Sequence, residues 1–358
     1  MSSQPAVSRL GAVRAAVITG AIAHLQTWRL YTFWYVGFLG LAGAGLSPGR
    51  HDGVRLFAAW AVPTLGWLGG HYLSDYFDRE LDAIAKPHRP IPSGRLPART
   101  ALSCGVLAML CVAVLAVLTG WRTSLIALLA VAAVLAYGLR LKARGMAGNL
   151  VRGALGALAL LYGAATVPPF GWAVLLPFAG AFWLHDTCSN LVGTLRDVDG
   201  DRAGGYRTLP VTHGAAIGVR TALGLYVLAA LAAGSGALEK PVGRQGWYLA
   251  ALACVAAFGL AAIAPMLSRQ HQLSPRDALR AHELLVLERL CLAAAVIGLG
   301  LGALPAVLLL APALLLTWWS QRTLRTWYEF GAGPGTASID HPPTRTAPPS
   351  VPKGNTYA

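Results

Sequence analysis

Long apolar runs constrain this chain more than any other feature. Runs of mostly apolar residues begin near Leu30, Val54, Thr100, Thr123, Asn149, Gly171, His213, Gly246 and Leu284. Each approaches the roughly 20 residues needed to cross a hydrocarbon core of roughly 30 Å. Backbone groups inside a bilayer must bond within their own segment, so such runs become helices. The expected fold class is therefore all-α integral membrane, with nine transmembrane helices. The ninth run continues through Pro305 and Pro312 to Trp319, long enough for a tenth helix after a turn at Ala303-Leu304-Pro305, so nine and ten both stand. Composition agrees: 55% of residues are hydrophobic, 12% are charged, and the mean hydropathy is +0.54, unlike a soluble domain of this length.

The placement of basic residues orients these runs. The formal net charge is +14, and in so apolar a chain such a surplus anchors helices at an anionic leaflet rather than binding nucleic acid. Lys and Arg concentrate in the even loops, at 79–99, 140–152, 196–220 and 269–289, whereas the odd loops hold only Arg50, Arg55, Arg122, Lys240 and Arg244. By the positive-inside rule the N-terminus and the even loops are cytoplasmic. Arg322 and Arg325 favour a cytoplasmic C-terminus as well, which needs an even number of crossings. Residues 1–28 mix arginines with apolar residues and read as an uncleaved, interfacial segment rather than a secretory signal. The membrane domain is expected over 29–320. The Pro-, Gly-, Ser- and Thr-rich tail over 331–358 is expected to be disordered. The five cysteines show no metal-ligand spacing. The Ala-, Gly- and Arg-rich usage suits a GC-rich bacterium, which would place the protein in a bacterial cell membrane.

Two even loops carry the candidate chemistry. The loop after the second run reads HYLSDYFDRELDAIAKPHRPIPSGRL. With no helix breaker before Pro87, Asp75, Asp78 and Asp82 share about 60° of one helical face. Carboxylates this close repel unless a cation neutralises them, and Mg²⁺ suits them because it takes a few carboxylates and completes its shell with water and phosphate. The alternative is an ordinary solvated loop. The loop after the sixth run reads NLVGTLRDVDGDRAGGYRTLPV, where Asp197 and Asp201 again share a face and Asp199 points elsewhere. With Glu80, these loops hold seven of the chain's 15 acidic residues on one side of the membrane.

Cations follow each cluster. Lys86, His88 and Arg89 follow the first, Arg202 and Arg207 follow the second, and Arg140, Lys142 and Arg144 lie on the neighbouring loop. Carboxylates for metal beside cations for phosphate oxygens describe a metal-diphosphate site, with Lys86, Arg89, Arg140, Lys142 and Arg207 as the diphosphate-binding set. Any single one of them serves equally as a topological anchor. His185, Asp186 and Asn190 lie near the end of the sixth run, where polar groups are costly unless paired or facing a wet cavity. They are expected to face the site, with His185 and Asp186 either handling a proton or forming a structural pair. Asn149 either bonds substrate or a neighbouring backbone.

The segment S-D-Y-F-D-R-E-L-D followed by K-P-H-R-P-I-P-S-G-R resembles the first Asp-rich motif of the UbiA-type intramembrane prenyltransferase superfamily, and D-V-D-G-D-R-A-G-G-Y-R-T-L-P-V resembles its second. YGLRLKARGMAGN over 137–149 is similar to the family's segment between its fourth and fifth helices. The likeness spans Arg29 to about Leu316. Three positions depart from the pattern. Ser74 stands where the family usually has Asn, and Asn190 and Gly193 stand where it often has Tyr and Lys.

The resemblance implies helices bundled around a central cavity, with the Asp-rich loops at its cytoplasmic mouth and a lateral opening for lipids. It implies two Mg²⁺ ions held by Asp75, Asp78, Asp82, Asp197 and Asp201, clamping an isoprenoid diphosphate and transferring its prenyl group to a lipophilic or aromatic acceptor. Tyr72 and Ser74 are expected at the cavity, and Phe33, Trp34, Tyr35 and Trp183 are candidates either for its aromatic wall or for ordinary helix packing. The missing lysine at Gly193 would leave Arg196, Arg140 or Lys142 to compensate. It also gives weight to a related terpene cyclase that needs no acceptor. An ion-coupled transporter is the reading from a different class.

Overall fold

The computed structural model describes residues 4–169, 171–238 and 242–331, and these are helical almost throughout. Apart from Gly331, the tail expected to be disordered lies outside the described residues. In chain order the helices are α1 (Gln4–Trp28), α2 (Phe33–Leu46), α3 (Gly53–Phe77), α4 (Arg79–Ala85), α5 (Ala98–Thr119), α6 (Trp121–Ala136), α7 (Gly145–Thr166), α8 (Trp172–Arg196), α9 (Val198–Ala203), α10 (Leu209–His213), α11 (Ala215–Ala237), α12 (Val242–Ser268), α13 (Pro275–Leu301), α14 (Ala303–Ser320) and α15 (Thr326–Phe330).

Local chemistry sets several of these boundaries. The Asp52 side chain accepts from Arg55 N at 3.0 Å and caps α3. Ser274 and Asp277 form a reciprocal capping box, and Pro275 opens α13 where its missing N–H costs nothing. Glycines in the left-handed half of backbone space end the straight runs: Gly120 (φ 144°) separates α5 from α6, and Gly302 (φ 109°) separates α13 from α14. The break in the last long run thus falls at Gly302, just before the expected turn, because glycine adopts this backbone without a Cβ clash. Pro305 then lies inside the first turn of α14.

Among the described residues, six helices are long and apolar enough to cross a membrane, comprising α5, α6, α11, most of α12, α13 and the segment from α14 onward. Equally long α3, α7 and α8 carry more polar residues, which turn inward. In α13, 72% of the apolar window is buried, against 6% in α6, so α13 is central and α6 peripheral. The core joins Phe38 and Leu39 of α2, Leu160 of α7, Phe178 and Phe182 of α8, Tyr248 of α12 and Val296 of α13. Small residues bring α2 and α7 into backbone contact: a Cβ on Gly163 would lie 1.8 Å from Gly40 O, and one on Gly43 1.8 Å from Leu160 O. Such approach is how helices gain dispersion contact in lipid, where hydrophobic attraction between them is absent. The N-terminal segment packs as α1 against α3, with His24 Nδ1 and Trp28 Nε1 each 2.6 Å from the Tyr72 hydroxyl.

Candidate active site

The first acidic motif straddles the end of α3 and the short α4. Asp75, Asp78 and Asp82 are all buried, at 3%, 3% and 4% exposure, so each carboxylate needs a partner. Each has one, from a different element. Asp82 takes both oxygens to Arg89 Nη1 at 2.8 and 2.9 Å. Asp78 accepts from Lys142 Nζ at 2.5 Å and from Ser74 Oγ at 3.4 Å. Asp75 accepts from Arg29 Nη2 at 2.6 Å and from the Tyr328 hydroxyl at 2.8 Å.

The second motif lies across from the first, between α8 and α10. Lys86, just after the first motif, donates to Asp197 at 2.9 Å, and Arg196 holds the same carboxylate at 2.6 Å. Asp199 is exposed and pairs with Arg202, facing away from the others. A π-turn over Tyr137–Leu141 ends the α6 rod and delivers Lys142. A bridge then ties Arg144 to Arg207 and Gly145 to Thr208, with Arg207 N donating to Ala143 O at 2.9 Å, fixing this loop beside the second motif.

Asp201 differs from the rest. Its carboxylate accepts from Thr208 Oγ1 at 3.3 Å but has no ion-pair partner among the described residues. Burial, and then the neighbouring Asp197 charge, raise its pKa to about 6. Burial acts on Asp197 in the same sense, but Arg196 and Lys86 outweigh it and hold that carboxyl below its ordinary value. Lys142 is likewise held above the ordinary lysine range, its burial outweighed by Asp78.

These groups border a cavity of ≈ 360 Å³, the size of a small-ligand site. Its polar end carries Asp78, Asp82, Asp197 and Asp201 with Lys86, Arg89, Lys142 and Arg196. Its apolar body is walled by Val36, Val62, Val112, Ile126, Val131 and Leu155, with aromatic surface from Tyr31, Trp67, Phe77, Tyr137 and Tyr162.

Sequence expectation and placement agree unevenly. Ser74, Asp186 and Asn190 line the cavity with the groups above. Asp75 is packed behind it on Arg29 and Tyr328. Arg140 and Arg207 are exposed and do not line it. Tyr72 faces α1. His185 turns its Nε2 to Glu288 at 2.5 Å, and Glu288 also accepts from Tyr226 at 2.9 Å. Asn149 pairs with Asn190 through their amides at 2.9 Å. Phe33 and Trp34 stack with Trp60, Trp183 is exposed, and Tyr35 donates to Asp186 at 2.8 Å, so the aromatic wall comes from other residues.

Five contributors escaped the sequence reading. Glu329 of α15 is buried at the cavity and accepts from Lys86 at 2.7 Å and Arg196 at 2.9 Å, with Arg89 at 3.4 Å. Tyr328 and Arg29 brace Asp75, their own bond being 2.7 Å. Arg152 and Arg289, counted among loop anchors by sequence, belong to α7 and α13 and line the cavity. No spacing in the sequence marks these residues, because they come from parts of the chain far from the Asp motifs: the end of α1, α7, α13 and α15.

The cavity-lining donors fit a hard, oxygen-seeking divalent ion. At the polar end they are carboxylates, and among the described residues Asp201 is a buried anion without a cation, which an ion would neutralise. Among the described residues no three acidic, His or Cys side chains already converge at metal-ligand range, since protein cations hold most of the carboxylates apart.

A multi-pass helical bundle whose acidic and basic side chains meet at one end of an apolar cavity defines an integral membrane protein built to handle an amphipathic, anionic molecule. The chain belongs to the UbiA prenyltransferase family, whose profile matches residues 33–287, and it is a UbiA-type prenyltransferase. A digeranylgeranylglyceryl phosphate synthase from Natronomonas pharaonis is 34% identical over 226 residues, covering 63% of this chain and 80% of that protein. One from Thermococcus gammatolerans is 33% identical over 193 residues, covering 54% and 69%. A UbiA homologue from Archaeoglobus fulgidus bound to DMAPP and Mg²⁺ has a TM-score of 0.60 at 14% identity, covering 83% of this chain and 98% of that one. One from Aeropyrum pernix K1 has a TM-score of 0.61 at 17%, covering 74% and 96%. At these identities the two structures speak for the fold alone. These relatives are archaeal, whereas composition pointed to a bacterium.

Proposed function

We propose that this protein ionises an isoprenoid diphosphate with the help of Mg²⁺ and transfers the prenyl group to a lipid acceptor inside the membrane. The observation that carries the reading is the convergence of both Asp motifs and four cations on one end of an apolar cavity. Asp78 and Asp82 from the first motif, with Asp197 and Asp201 from the second, would hold the metal, two ions being the expected number, and Asp75 would support them through Arg29 and Tyr328. The bound ions would neutralise charge that grows on the diphosphate as it departs. Lys86, Arg89, Lys142 and Arg196 lie where they can exchange carboxylate partners for phosphate oxygens. Gly193, where the family often has lysine, leaves open space for such a contact, a Cβ there meeting nothing within 4 Å.

The allylic C–O bond breaks with its electron pair leaving on the diphosphate, and the acceptor's nucleophile then attacks the carbon and gives up its proton. The apolar wall keeps water from the cation, and aromatic faces such as that of Tyr137 stabilise its charge. The relatives named for making digeranylgeranylglyceryl phosphate favour a glyceryl phosphate lipid as acceptor. We assign ten crossings, by α2, α3, α5, α6, α7, α8, α11, α12, α13 and α14, with the N-terminus and the Asp motifs cytoplasmic.

The test is diphosphate release from labelled allylic diphosphates by purified protein, with and without Mg²⁺, for wild type, Asp78→Ala and Asp201→Ala. Mg²⁺-dependent release lost in both variants supports the reading, and its absence in wild type with acceptor present refutes it. Release without acceptor consumption would instead favour the cyclase to which Gly193 gives weight.

A further inference from the structure

Two arginines deep in the bundle have no part in the ionisation described above. Arg152 of α7 lies with its guanidinium 3.9 Å from the centre of the Trp67 ring, and among the described residues it forms no hydrogen bond and no ion pair. Arg289 of α13 lies 4.3 Å over the Tyr35 ring. Its Nη1 is 3.7 Å from Asp186 Oδ1, and its buried Nε has no hydrogen-bond partner among the described residues. Arg289 is 5% exposed, and both arginines line the cavity. Asp186 therefore offsets one guanidinium and leaves the other unmatched. An unmatched cation within a membrane bundle is costly unless it serves a ligand.

The location separates this pair from the diphosphate end. Trp67 precedes Asp78 by about three turns of α3, which is about 16 Å along the axis. Between them α3 lines the cavity with Gly70, His71, Ser74 and Phe77, and a Cβ on Gly70 would meet only Val134, at 3.8 Å. A polar group held at Arg152 is thus too deep to be the leaving diphosphate but shares its cavity.

We propose that Arg152, steadied on the Trp67 face, and Arg289 together seat the anionic head group of the acceptor lipid, a phosphate monoester. The assignment rests on the prenyltransferase reading above and names the acceptor's chemistry within it. Guanidinium forks match phosphate oxygens in shape, and Arg stays charged in apolar surroundings. After Asp186 offsets Arg289, the pair retains positive charge for a dianionic group rather than for a neutral alcohol. A phosphate seated here leaves a hydroxyl on the same short glyceryl unit facing the diphosphate end, where the allylic carbon is released. Specificity for charged acceptors then arises because a neutral analogue leaves the Arg152 guanidinium unpaired and Arg289 matched only by Asp186.

The test measures binding of two synthetic C20 prenyl-glyceryl lipids, identical except for the phosphate, to purified protein in detergent without diphosphate or Mg²⁺. Wild type should favour the phosphate form by tenfold or more, Arg152→Gln should lose that preference, and Arg152→Lys should recover part of it. Should Arg152→Gln fail to fold, Trp67→Leu removes the stacking face and should weaken the phosphate form several-fold while leaving the neutral one unchanged. In turnover, Arg152→Gln should raise KM for the acceptor and leave KM for the isoprenoid diphosphate unchanged. Retained preference in Arg152→Gln, or none in wild type, overturns the seat. A preserved preference in a protein that transfers no prenyl group would overturn the proposed reaction and leave the phosphate seat standing.

Discussion

At the residue scale, charge pairing organises this cavity, and Glu329 is its most connected member. Three cations converge on one buried carboxylate, so removing it strands them together. Breaking a buried pair costs about 3–5 kcal/mol when the partner is left uncompensated. Glu329→Ala should therefore lower the melting temperature of the purified protein, with Glu329→Gln intermediate, as read by thermal unfolding in detergent. An unchanged melting curve would show that the three cations find other partners. Asp201 gives a second expectation. Its pKa, raised to about 6 by burial and by Asp197, means that the metal-free folded chain holds this proton more tightly than the unfolded one. The stability this contributes is present at low pH and lost as pH rises through about 6. A metal ion needs the proton gone, so apparent Mg²⁺ affinity should weaken as pH falls through the same window. Titration at several pH values checks this, and Asp201→Asn should flatten the dependence.

At the element scale, helix ends and small residues do the positioning. Both Asp motifs stand at helix termini, α3 into α4 and α8 into α9, where chain direction changes and carboxylates can turn toward one another. The contact between α2 and α7 depends on Gly163. Gly163→Ala places a methyl 1.8 Å from Gly40 O, so backbone must move, and folded yield should fall sharply. Gly180→Ala on α8 meets nothing within 4 Å and should be close to neutral. Comparable yields of the two variants by size-exclusion chromatography would show that the helices can separate without penalty. The N-terminal helix also contributes through its exit: Arg29 has φ 50°, a costly backbone for a non-glycine residue, and this turn aims its side chain at Asp75.

At the scale of the whole molecule, the proposed ten crossings make a topological prediction. In a cysteine-free background, Ser93→Cys and Asp199→Cys, both exposed and beside the two Asp motifs, should react with a membrane-impermeant maleimide from the same side. Arg50→Cys, exposed in the loop between α2 and α3, should react only from the opposite side. Labelling of all three from one face would sink the assigned arrangement.

Membrane class, helix positions and the two acidic motifs were legible in the sequence, because hydropathy, helical periodicity and local spacing are properties of short segments. Asp78, Asp82, Asp197, Asp201, Lys86, Arg89 and Lys142 were all singled out from their loops. Tertiary structure alone decided which cations face which carboxylates, that Arg140 and Arg207 turn outward, and that Tyr72 and His185 serve packing partners away from the cavity. It alone brought Glu329 and Tyr328 back from the far end of the chain, and placed Arg152 and Arg289 in the bundle rather than at its surface. The reason is physical: a segment's burial and period depend on its own residues, whereas a charged side chain's role depends on which distant helix supplies its partner.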